Sequence, residues 1–318
     1  MKYNLFITTA TALLAMACQG IDCPKDYTPI ELPEIAKVEV VVIEGHLHGT
    51  YGFHQTPDGE GQKYMKRFNR FLFEKASDGS MILSSTSQQR LYAVGGIGEY
   101  NPKINSDSEL SKKIAIAYGF WIEYYDAKGN KITDKVLGGD HTKRLQNFFT
   151  VSDTHATFDG DKREVDKYKN SADFITYIYC DTDPLSARIR DHAKVIGPSN
   201  PIGYKGYLGF SLPRSECMLH ITLCDLAPIG KLSNGRPYRF YQLPAQGEKL
   251  LELTIPVTIY AHGYESVDHY TLGEMTEMDM KLLRSIAHAY SITIEEALEE
   301  NIIRLRNTPP HTDSGYWF

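Results

Sequence analysis

The run Val38-Glu39-Val40-Val41-Val42-Ile43 constrains the fold more than any other stretch of the chain. It is β-branched at both odd and even positions, the pattern of a central strand buried on both faces rather than of a half-exposed one. Such a strand needs a covering layer on each side. Directly after it comes Glu44-Gly45-His46-Leu47-His48-Gly49-Thr50-Tyr51-Gly52-Phe53-His54, where chelating side chains replace apolar ones. Side chains alternate along a strand, so a strand continuing through Gly45 puts Glu44, His46 and His48 on one face. Two histidines at i and i+2 have metal-ligand spacing. Gly45, Gly49 and Gly52 mark a bulge or bend, which folds His54 back towards the pair. The plain alternative is polar residues at the rim of a sheet.

A second stretch, Leu251 to Tyr260, also runs from apolar residues into His262-Gly263, with Asp268 and His269 beyond. The candidate metal set is therefore His46, His48, His54, His262 and His269. Neutral imidazole suits Zn, Cu, Ni or haem iron, and ligand type alone does not select among them.

The N-terminus has the organisation of an export signal: Lys2, an apolar stretch from Leu5 to Ala15, and the small-residue site Ala15-Met16-Ala17-Cys18. It resembles a bacterial lipoprotein signal with its lipobox. That resemblance implies removal of residues 1–17, lipidation of Cys18 and, with Gln19 in the following position, anchoring in the outer membrane. Residues 18–36, with Pro24, Pro29 and Pro33 among charges, read as an extended tether. Four other cysteines remain, and an export compartment permits disulfides. Cys180 and Cys224 each end an apolar run, which makes them the favoured pair.

Between residues 37 and 265 the chain reads as many short strands separated by Gly, Pro and Asn, with no βαβ alternation. Strands are expected at Phe68–Glu74 and Met81–Ser84 around an Asp78-Gly79 turn, and at Ala115–Tyr125, Leu145–Val151, Phe174–Cys180, Tyr204–Leu212, Met218–Cys224, Tyr238–Leu243 and Leu250–Tyr260. The carboxylate-rich stretch 152–173 lacks EF-hand spacing and reads as a solvated loop. The fold class is mainly β: an antiparallel β-sandwich, either one large unit or two lobes over 37–160 and 172–265. A helical hairpin and an aromatic tail, 271–318, follow it. Its first helix is signalled by Thr271 and Glu274 and its second by Thr293 and Glu296, both at capping-box spacing.

Composition narrows the function classes. Of 318 residues 23% are charged, the formal net charge is −6 and basic residues are scattered, which argues against a nucleic-acid surface. No Gly-x-Ser-x-Gly elbow, phosphate-binding glycine loop or His-Glu-x-x-His helix is present, so an envelope hydrolase ranks last. Two binding classes remain. One is an outer-membrane lipoprotein that captures a transition metal (Zn or Cu), haem or another metal-bearing compound through the histidine set, for delivery to an uptake receptor. The other is a surface adhesion or glycan-binding module that stacks its ligand on Trp121, Tyr124 and Tyr125.

Overall fold

A computed structural model describes residues 27–48, 51–95, 116–157, 162–261 and 271–306. Its strands are β1 (Lys37–His48), β2 (Gly52–Gln55), β3 (Phe68–Lys75), β4 (Met81–Leu83), β5 (Leu91–Gly95), β6 (Ala117–Tyr125), β7 (Leu145–Ala156) and β8 (Ile175–Tyr179). The short β9 (Thr182–Asp183) and β10 (Lys194–Val195) follow, then β11 (Lys205–Phe210), β12 (Ser215–Asp225), β13 (Leu232–Ser233), β14 (Arg236–Pro237) and β15 (Glu248–Ala261). Three short helices, α1 (Thr133–Leu137), α2 (Lys162–Lys167) and α3 (Ser171–Phe174), lie in the connections, and α4 (Glu277–Tyr290) and α5 (Ile294–Arg306) form the C-terminal hairpin.

Two sheets make the sandwich. Sheet I has the order β4-β3-β1-β6-β11-β8, with β2 also paired to β1, and sheet II has the order β5-β15-β12-β7. All of these pairings are antiparallel except β5 with β15, which is parallel. β1 is central, as its composition requires. Val38, Val40 and Val42 enter the core between the sheets, while Val41 and Ile43 are equally buried on the other face. Phe120 of sheet I meets Phe149 of sheet II edge-to-face at 5.2 Å, and Phe149 stacks on Tyr177 at 3.7 Å. The back of sheet I is covered by a smaller cluster of Leu47, Phe53, Ala117, Cys180 and Tyr207.

Both halves of the chain contribute to both sheets. β8 and β11 extend sheet I, and β5 pairs with β15. One core therefore spans what the sequence allowed as two lobes. Three local expectations change. Residues 27–36 lie against the domain instead of standing off as a tether: Ile30, Leu32 and Ile35 pack on the core. The stretch 152–173 contains the end of β7 and two short helices, because Val165 and Phe174 have core positions to fill. Tyr238–Leu243 forms no strand. A turn closed by the Gln242 N–H to the Arg239 carbonyl at 3.0 Å occupies it, and it meets β7 through the Phe149 N–H to the Phe240 carbonyl at 2.8 Å.

The helical hairpin packs on the outer face of sheet II. Leu282, Leu283, Ile286 and Ala287 of α4, with Ala297 and Leu298 of α5, close on Tyr260 and Met65. Thr276 caps α4 in a reciprocal box with Asp279, one turn after the expected start; Thr271–Glu274 holds a short 3₁₀ turn. Thr293 and Glu296 bond reciprocally, as their spacing indicates. No helix among the described residues is long and apolar enough to cross a membrane.

Candidate functional site

Strand register builds the floor of a groove on sheet II. His155 of β7 opposes Glu216 of β12, Glu216 opposes Thr258 of β15, and Thr258 opposes Tyr92 of β5. Directly opposed residues point to the same face, so the four form one row across the sheet. The inward neighbours Cys217, Val257, Leu91 and Ala93 belong to the core, so the row faces outwards. A bulge sets the row at β7. Met218 opposes Ser152 but Glu216 opposes His155, one residue more on β7 than on β12, and Asp153 adopts φ 50° there. Without that extra residue Thr154 would face Glu216. Bulges re-aim side chains in this way.

The row is bonded along its length. His155 Nε2 lies 3.0 Å from Glu216 Oε2, and its Nδ1 lies 2.9 Å from the Asp153 carbonyl. The Thr258 hydroxyl donates to Glu216 Oε1 at 2.9 Å. Arg90, just before β5, donates to Thr258 Oγ1 at 3.0 Å and stands 3.6 Å from Glu216 Oε1. Glu216 is thus held by three neighbours while still partly exposed to the groove.

Helix α4 is the opposite wall. Lys281, Arg284, Ser285, His288 and Ala289 recur at helical spacing on the face adjoining that which packs against Tyr260. The Tyr92 hydroxyl reaches the Ala289 carbonyl at 3.3 Å, and the Tyr92 ring lies 4.5 Å from that of Tyr290, which sets the end of the helix against β5. Burial raises the Tyr92 hydroxyl above its ordinary pKa. Between helix and sheet lies a cavity of about 640 Å³. Arg90, Lys281 and Arg284 line it; Arg90 stands against Glu216 at 3.6 Å and Lys281 against Glu277 at 3.5 Å, which leaves Arg284 as the cation turned to the groove. Among the described residues no carboxylate pairs with Arg284. An open groove with a polar, hydrogen-bonded floor and cations on its walls is suited to bind an anion.

The histidines named from the sequence are partly brought together. β1 runs unbroken through Gly45 to His48, and His46 opposes His54 of β2. Their rings stand edge-to-face with centroids 5.4 Å apart. Gly45 permits this approach, since a Cβ there would fall 2.0 Å from the His54 carbonyl oxygen. His48 ends β1 opposite Gly52, but its side chain lies outside the described residues, as do Cys18, His262, His269 and the tail 316–318. Among the described residues no group of three or more His, Cys, Asp or Glu is placed to hold a metal ion.

Other sequence candidates fall elsewhere. Cys180, Cys217 and Cys224 are all free and buried. Cys180 sits in the cluster behind sheet I and Cys224 in another with Phe148 and Leu226, so the expected bridge between these two is not formed. Tyr124 is fully buried in the core, Tyr125 bonds Glu39 at 3.2 Å, and Trp121 packs on the cluster behind sheet I. Tyr124 therefore cannot stack on a ligand, while Trp121 and Tyr125 lie half-buried on the other face of β6. The groove residues were not singled out by sequence reasoning. Their signal was present in two pieces: the alternation of Glu216, Met218, His220 and Thr222 along β12, and the Lys281, Arg284, His288 stripe on α4.

No protein-family model matches the chain, and no curated protein matches its sequence.

Proposed function

We propose that this chain is a ligand-binding lipoprotein of the outer membrane, anchored through Cys18, that acts by capture rather than catalysis and binds an anionic ligand between α4 and sheet II. The observation that carries the reading is the basic groove of about 640 Å³ at a helix–sheet junction, within the range usual for ligand sites. The anchor rests on the Ala15-Met16-Ala17-Cys18 motif. It predicts that Cys18→Ala leaves unprocessed precursor or releases the protein from the envelope, and that globomycin causes precursor to accumulate. Normal membrane fractionation of the variant would remove the anchor from the account.

The groove is tested by a thermal-shift screen of chemically varied ligands, neutral and charged, on the full chain and on Ala289→Trp, which fills the groove from the helix side. Stabilising ligands should lose their effect in the variant. Ligands that stabilise both proteins equally bind elsewhere, and the groove reading then fails.

The register of His46 with His54 supports a second reading, capture of Zn, Cu or haem iron at the β1–β2 hairpin. Joint substitution of His46 and His48 by Ala should abolish stoichiometric metal binding. Binding that survives the double substitution excludes this site.

A further inference from the structure

The groove combines features that a simple anion would not require. Alongside Arg90, Lys281 and Arg284 it presents the Glu216 carboxylate, the Ser285 hydroxyl and the ring of Tyr92, with the buried Thr258 hydroxyl holding Glu216 from beneath. A carboxylate has about four acceptor positions. Glu216 uses one for His155 and one for Thr258, with Arg90 nearby, so it retains capacity to accept hydroxyl hydrogens from a ligand. Towards an inorganic anion that same carboxylate is repulsive. Towards a hydroxylated ligand it is a recognition element. Arg284, exposed on the helical wall and pairing with no described carboxylate, offers a planar fork for a ligand carboxylate, whereas Lys281 is already shared with Glu277 at 3.5 Å. Tyr92 and Ala289 give the groove an apolar side.

Resting on the groove reading above, we infer that the ligand class is an acidic saccharide of the uronic-acid type. Its carboxylate lies against Arg284, its hydroxyls bond Glu216 and Ser285, and its C–H face lies on Tyr92. The opening between helix and sheet admits part of a longer chain as well as a free oligomer.

The test is calorimetric titration of the full chain with trigalacturonate, with its fully methyl-esterified trimer, and with inorganic phosphate as competitor. Trigalacturonate should bind at one site. The neutral ester should bind at least about tenfold more weakly, and phosphate at equal concentration should not displace the trimer. Arg284→Gln should lower affinity about tenfold, the loss of one charge-assisted pair, with an unchanged melting temperature because the side chain is exposed. Glu216→Gln, which keeps the shape but weakens hydroxyl acceptance, should also weaken trigalacturonate. Equal binding of ester and acid overturns the charge recognition. Displacement by phosphate mole for mole reduces the site to an anion site and overturns the saccharide. No binding of trigalacturonate overturns the ligand class, while the groove stands if other ligands are blocked by Ala289→Trp. Trigalacturonate binding that survives Ala289→Trp overturns the groove itself.

Discussion

Lys231 is the residue whose titration bears most directly on stability. It is buried, and its ammonium donates to the carbonyls of Thr142 and Leu145, each at 2.9 Å. Burial pushes it down to about 7. Lys205, also buried, is pushed down to about 8 for the same reason, against the pull of Asp181. Both values lie below that of an unfolded lysine, so between about pH 7 and pH 10 the unfolded chain holds more protons than the native one. Stability therefore rises with pH across that window and is lost as pH falls through the native value, with a limiting slope of about 1.4 kcal/mol per pH unit per group. Urea unfolding at pH 7.5 and 9.5 should show this gain, and Lys231→Met should reduce it. An identical pH profile in the variant would contradict the assignment. The cysteines are tested as simply. Burial pushes the Cys217 and Cys224 thiols up to about 12 and raises the Cys180 thiol well above its ordinary value. All three should resist alkylation in the folded protein and react fully on unfolding without reductant. A peptide linking Cys180 to Cys224 would restore the bridge.

At the scale of elements, the hairpin α4–α5 is fastened by a buried carboxylate. Glu300 of α5 is 3% exposed and accepts the backbone N–H groups of Lys63 at 3.0 Å, Tyr64 at 2.7 Å and Met65 at 2.9 Å. Glu300→Ala leaves buried donors unsatisfied, and the expected loss is about 2 kcal/mol or more in urea denaturation. Glu300→Gln retains an acceptor oxygen and should lose less; equal losses would argue that packing, not hydrogen bonding, fastens the hairpin. Which elements the sequence disclosed follows from how local their causes are. β1 was legible because both parities are apolar. The β3–β4 hairpin was legible because Asp78-Gly79 needs only itself: Gly79 takes φ 90° and Asp78 accepts the Ser80 N–H at 2.9 Å. The capping box at Thr293 is equally local. Tyr238–Leu243 misled because its aromatic content reads as strand while the segment is taken up by a turn, closed by the Gln242 N–H to the Arg239 carbonyl at 3.0 Å. The bulge at Asp153 had no sequence signal specific enough to place His155 opposite Glu216.

At the scale of the molecule, the β-sandwich was legible and its pairing was not. Which strands share a sheet depends on contacts between distant segments, and composition does not record them. The groove was hidden for the same reason. Its floor draws one residue from each of four strands, and its wall comes from a helix more than a hundred residues beyond His155. Assembly also fixes where the N-terminal segment lies. Arg144 forks onto Asp225, the Tyr27 hydroxyl bonds Asp225 at 3.1 Å, and Arg144 reaches the Thr28 carbonyl at 3.0 Å. The N-terminal segment is thereby pinned at the Asp225 end of β12, whereas Glu216 stands at the other end, about 30 Å away at the usual strand rise.

The central claim is that ligand enters between α4 and the row His155, Glu216, Thr258 and Tyr92. Hydrogen exchange with and without the strongest stabiliser from the screen measures this directly. The account predicts slower exchange in α4 and around Ser215–Cys217, with the β1–β2 hairpin unchanged. Protection confined to Gly45–Gln55, with α4 exchanging as before, would contradict it and move the binding site to His46 and His54.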